Sequence, residues 1–74
     1  MKFIYQQESN TVRMMPQNYL VAMRGKDRRW MIDGDSAIPE KVATQIFMIW
    51  FNNHDVRWGG GPEFAEMLNK LIPE

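Results

Sequence analysis

The fold turns on the stretch Tyr19-Leu20-Val21-Ala22-Met23-Arg24-Gly25-Lys26-Asp27-Arg28-Arg29-Trp30-Met31-Ile32-Asp33. Two runs rich in aliphatic and aromatic side chains flank Gly25-Lys26-Asp27, small and polar residues that tolerate the positive φ of a tight hairpin. An antiparallel hairpin is therefore predicted. Strict alternation puts Tyr19, Val21 and Met23 on one face and Leu20, Ala22 and Arg24 on the other. Neither set is cleanly polar, so the sheet is expected to have one face covered by helices and a second face still partly apolar. Such a surface is unusual for a solitary monomer.

Working outward toward the N-terminus, Phe3 and Tyr5 alternate with Lys2, Ile4 and Gln6, and Glu8-Ser9-Asn10 supplies turn residues ahead of Thr11-Val12-Arg13-Met14-Met15. This predicts a second hairpin. Pro16 lacks a backbone donor and suits a strand end. Toward the C-terminus the apolar period lengthens. Asp33-Gly34-Asp35 reads as a turn, Ser36 as the helix N-cap, and Pro39-Glu40 as a first helical turn. Val42, Ala43, Ile46, Phe47, Ile49 and Trp50 then recur as a core-facing helical stripe, with Met48 and Phe51 off it. A buried strand over residues 46–51 is the alternative, from their aromatic and β-branched content.

Asn52-Asn53-His54-Asp55 stops that helix, and Gly59-Gly60-Gly61 reads as the most flexible stretch of the chain. Pro62 opens a last helix carrying Phe64, Met67, Leu68, Leu71 and Ile72 at helical spacing, and Pro73 ends it. The expectation is an α+β single domain over residues 1–74. It has an antiparallel sheet of three to four strands followed by two helices packed on one face, in the order ββββαα.

Composition bounds the chemistry. A chain of 74 residues buries only about 60% of the surface its unfolded form exposes, so it is thinly stabilised. With no Cys, disulfides and cysteine-ligated zinc are excluded. Ser9 and Ser36 sit in turn contexts, and the lone His54, beside Asp55, reads as a polar helix end. Asp33-Gly34-Asp35 lacks the third oxygen ligand and the closing Glu of a calcium loop, and Gly59-Gly60-Gly61-Pro62 lacks the Lys-Ser/Thr pair of a phosphate loop. No catalytic residue, metal or cofactor is expected. The longest strictly apolar run is residues 46–51, against the roughly 20 residues of a membrane helix, and the first residues lack a signal-peptide pattern. A soluble cytoplasmic protein is expected.

Surface-forming residues say more. Arg24, Lys26, Arg28 and Arg29 surround one turn with only Asp27 among them. That knob has three readings: a solvated tip, a contact with a protein partner, or a contact with nucleic acid beside Trp30. Trp58, between Arg57 and three glycines, is either a lid on the core or an exposed anchor. Formal charge is zero overall, yet residues 1–37 hold six cations against four acids, and residues 38–74 three cations against five acids. Aromatic and Met content exceeds the needs of a small two-layer core, which points to a partner surface.

The opening Met1-Lys2-Phe3-Ile4, the Asn18-Tyr19 strand start, Asp35-Ser36 ahead of the first helix, Trp50-Phe51 at its end, and a glycine-rich link into a final helix bearing Glu, Asn and Ile resemble the small phage-encoded type I-F anti-CRISPR proteins. The resemblance implies a four-stranded antiparallel sheet backed by two helices. It also implies a stoichiometric inhibitor that docks its sheet on a bacterial RNA-guided surveillance complex in the host cytoplasm, through tyrosines and an acid on that sheet. Tyr5 and Tyr19 lie in comparable strands here, while no acid matches. The expected function is thus non-catalytic inhibition by protein–protein binding, with Tyr5, Tyr19 and Trp58 as apolar anchors and Arg24, Lys26, Arg28 and Arg29 as the charge that steers an acidic partner. The alternative is a nucleic-acid-binding regulator using residues 24–29. A homodimer through the spare sheet face or edge is compatible with either.

Overall fold

The computed structural model describes residues 1–53 and 59–73. Strands β1 (Lys2–Gln6), β2 (Thr11–Met15), β3 (Tyr19–Arg24) and β4 (Trp30–Ile32) form one antiparallel sheet in the order β1-β2-β3-β4. Helices α1 (Glu40–Asn52) and α2 (Gly61–Leu71) follow. The architecture is α+β in the order ββββαα, and residues 46–51 are helical.

Short turns make this meander. Asn10 (φ 55°) and Asn18 (φ 66°) take the left-handed step of the first two turns, a conformation Asn tolerates better than most residues. The third turn departs from expectation. Gly25 has no positive φ; its carbonyl accepts from the Arg28 N–H and its own N–H donates to the Arg29 carbonyl, each at 3.0 Å. The left-handed step falls instead on Arg28 (φ 66°), where a Cβ-bearing residue costs about 1–2 kcal/mol.

Register corrects the expected faces of β3. Val12 pairs with Ala22 and Arg13 with Leu20, so Val21 is an extra residue in a β-bulge. The bulge turns both Val21 and Ala22 into the core, where both are fully buried. Across the sheet Phe3 aligns with Met14 and Tyr19, and Tyr5 with Val12, Ala22 and Ile32; these line the helix side. Lys2, Ile4, Gln6, Thr11, Arg13, Met15, Leu20, Met23 and Met31 fall on the other.

Trp30 is the hub of the covered side. It is 1% exposed, lies edge-on to Tyr5 (6.0 Å) and Phe64 (5.4 Å), and its indole N–H donates to the Gly59 carbonyl at 3.0 Å. From α2, Phe64, Ala65 and Leu68 are buried beside Ile72. Gly61, expected within a flexible link, is the buried first residue of α2: a Cβ there would overlap the Tyr5 ring. At the β1 edge the Asn69 amide imitates a strand. Its Nδ2 donates to the Phe3 carbonyl and its Oδ1 accepts from the Phe3 N–H, both at 2.8 Å. At the β4 edge the Trp50 indole donates to the Trp30 carbonyl at 3.0 Å. Side chains thereby occupy backbone groups that a foreign strand would otherwise pair with.

Helix α1 is attached by a narrower seam. Ile46 is its buried residue, with Val42, Ile49 and Trp50 packed against the core. Two members of the expected stripe, Ala43 and Phe47, are exposed instead, because a sheet this small gives α1 cover on one side only. The helix starts at Glu40 with Pro39 before it and no side-chain cap; Ser36 does not cap it. Asp35 holds the preceding turn, its Oδ1 accepting from the Ala37 N–H at 2.8 Å and its carbonyl from the Ile38 N–H at 3.0 Å.

Candidate partner-binding surface

Neither helix crosses the second sheet face. Its strand side chains are mostly aliphatic or Met: Ile4, Met15, Leu20, Met23 and Met31, of which Ile4 and Met31 are the most exposed (36% and 52%). Arg13 stands in the middle, on an inner strand, with Ile4 across one ladder and Leu20 across the other. Of the three charged residues in the strands, all cations, Lys2 and Arg13 lie on this face and Arg24 on the helix side, and none is acidic. This face therefore combines apolar area with positive charge.

Arg13 is unusually placed. Its Nη1 donates to the Asn18 carbonyl at 3.3 Å, a long bond, and its buried Nε finds no hydrogen-bond partner among the described residues. Both neighbours across the ladders are aliphatic, so water is displaced without an acceptor being supplied. Nearby, Thr11 is buried and its Oγ1 is 2.7 Å from Ser9 Oγ, so its hydroxyl is satisfied.

Among the described residues, those singled out in the sequence do not share one face of the sheet. Tyr5 and Tyr19 lie on the helix side, half-buried against the core, because register aligns them with Val12 and Met14. The Tyr5 hydroxyl donates to Asn10 Oδ1 at 2.7 Å. Arg24 sits with its guanidinium carbon 5.9 Å from the centre of the Trp30 ring, a cation–π contact on that same side. Lys26, Arg28 and Arg29 are exposed around the β3–β4 turn, next to the Met23 and Met31 end of the open face. Trp58 lies outside the described residues, as does His54. The sequence offers Arg13 and Met31 only as strand members, although alternation in Thr11-Val12-Arg13-Met14-Met15 places Arg13 on the face opposite Val12 and Met14.

A second exposed surface runs along α1. Phe47 (47% exposed) stacks on Phe51 (57% exposed) with ring centres 6.0 Å apart, beside Met48. No charged residue occurs between Lys41 and Asp55, so this stripe is apolar but electrically blank. Among the described residues there is no cluster of three or more His, Cys, Asp or Glu side chains, and no helix is long and apolar enough to cross a membrane. A groove of about 420 Å³ runs between β1 and α2, with Asn69 across it. A scan of protein-family models and searches of curated proteins and of solved structures find no match to this chain.

Proposed function

We propose that this protein is a non-catalytic inhibitor that binds a host protein or ribonucleoprotein complex through its open sheet face. The type I-F anti-CRISPR resemblance makes a CRISPR surveillance complex in the bacterial cytoplasm the target to test first. One observation carries the reading: a guanidinium set between Ile4 and Leu20 on a sheet face that also carries Met15, Met23 and Met31 and that neither helix covers. Arg is enriched at the energetic centre of protein interfaces, and surrounding apolar contacts exclude water from it. Flexible Met side chains adapt to a partner's shape. Lys26, Arg28 and Arg29 at one end would raise the rate of encounter with an acidic target.

The nucleic-acid reading has less support. Single strands bind on aromatic platforms, and every aromatic residue of the strands (Phe3, Tyr5, Tyr19 and Trp30) is on the helix side. A homodimer draws on a different observation, the stacked Phe47 and Phe51 on α1. Sizing chromatography at micromolar concentration separates it: a dimer that Phe47→Ser dissociates supports it, and a monomer removes it.

The inhibitor reading is tested in bacteria carrying an active type I-F system, by the plating efficiency of a targeted phage with this chain expressed. Plating is expected to recover, and Met31→Glu is expected to reduce the recovery. Full interference in the presence of abundant, folded protein overturns the reading.

A further inference from the structure

Resting on the open-face reading, we infer that the partner segment taken by this face is an acidic, aliphatic stretch of protein whose carboxylate pairs with Arg13. Arg13 is on an inner strand between Ile4 and Leu20, so any partner that covers the apolar side chains also covers the guanidinium. Sealing an ionised group away from water without a counter-charge is strongly unfavourable, and a purely apolar partner would incur that cost in full. A carboxylate removes it.

The described residues show no such counter-charge. None of the residues in the four strands is acidic, and among the described residues the sole hydrogen bond of the Arg13 side chain is the 3.3 Å contact with a neutral carbonyl, that of Asn18. A guanidinium carries five N–H donors. Here Nε is enclosed by the protein, and the terminal nitrogens, of which Nη1 reaches the Asn18 carbonyl, are the ones a partner can meet. A carboxylate is the protein group that takes two of these donors at once. Ile4 and Leu20 beside it, and Met15, Met23 and Met31 on the same face, then set the rest of the segment: aliphatic side chains flanking the acid, with no demand for an aromatic base. Further acids along the segment would face Lys26 and Arg28 at the exposed turn.

The test is an amide NMR titration of the intact protein with three probes. They are a blocked octapeptide of alternating glutamate and leucine, the same peptide with glutamine for glutamate, and a thymidine oligonucleotide. The acidic peptide is expected to shift the amides of Ile4, Arg13, Leu20 and Met23, and to bind about tenfold more tightly than the glutamine peptide. Arg13→Gln, checked for a dispersed spectrum, should erase that difference. Met31→Glu, at an exposed position where folding is not at stake, should weaken the acidic peptide alone. If both peptides shift the open face equally and Arg13→Gln changes nothing, the carboxylate inference is overturned while the open face stands as the docking surface. If neither peptide shifts these amides, both ideas fall. If only the oligonucleotide shifts them, the face binds phosphate and the protein-segment inference is overturned.

Discussion

The two faces of the sheet are built from the same four strands, and adjacent residues serve opposite ends. On the helix side Trp30 is enclosed by Tyr5 and Phe64 and tied through both its indole and its carbonyl. One residue later Met31 is half in solvent. Apolar area is therefore divided between a face that holds the molecule together and a face that neither helix covers. In a domain this small that division is costly, because every aliphatic side chain outside the core is one that does not stabilise it.

Substitutions at neighbouring positions should expose the division. Trp30→Ala removes the hub of the covered side and should destabilise by about 3–5 kcal/mol, enough to unfold much of the population in a denaturant titration. Should it cost as little as a surface change, the covered face is not the core. Asn69→Ala takes two hydrogen bonds from the β1 edge and should cost about 1–2 kcal/mol, with self-association at high concentration as the uncovered edge pairs. Sedimentation velocity reads the second effect. Arg28→Gly should act in the other direction, raising stability by about 1 kcal/mol by relieving the left-handed step in the β3–β4 turn. Smallest of all, Met31→Ala should stay within about 0.5 kcal/mol of the parent, since the open face adds little to folding. A large loss at Met31 would erase the contrast with Trp30.

Much of this fold is legible in the sequence. The bounds of β2 and β3, the Pro-Glu start of α1, and the helix from Pro62 onward follow from local pattern and turn chemistry. What pattern misses is tertiary. A bulge at Val21 breaks the period of two and places Ala22 beside it in the core, which alternation alone assigns to the opposite face. Gly61 reads as freedom in sequence and proves to be close packing, because the Tyr5 ring leaves no room for a Cβ. Phe47 fits the core stripe of α1, yet no layer remains to cover it.

The proposed partner surface is half legible in the sequence. Strands apolar on both faces announced an unfilled side of the sheet, and the basic turn lies at its end. Residue type suggests Tyr5 and Tyr19 as anchors, whereas register decides which side of the sheet a ring occupies and puts both on the helix side. Arg13 was hidden for a related reason. A lone cation in a strand reads as a solvated side chain until its two cross-strand neighbours prove to be Ile4 and Leu20.

The most direct test of the central claim is the affinity of a purified type I-F surveillance complex for three forms of this protein, measured side by side. These are the parent, a Met23→Glu and Met31→Glu double variant on the open face, and a Phe47→Ser and Phe51→Ser double variant on α1. The open-face variant should bind about a hundredfold more weakly, a loss of about 2.7 kcal/mol, while the α1 variant binds as the parent does. Loss of binding in the α1 variant with none in the open-face variant, or no binding by the parent, would contradict the account.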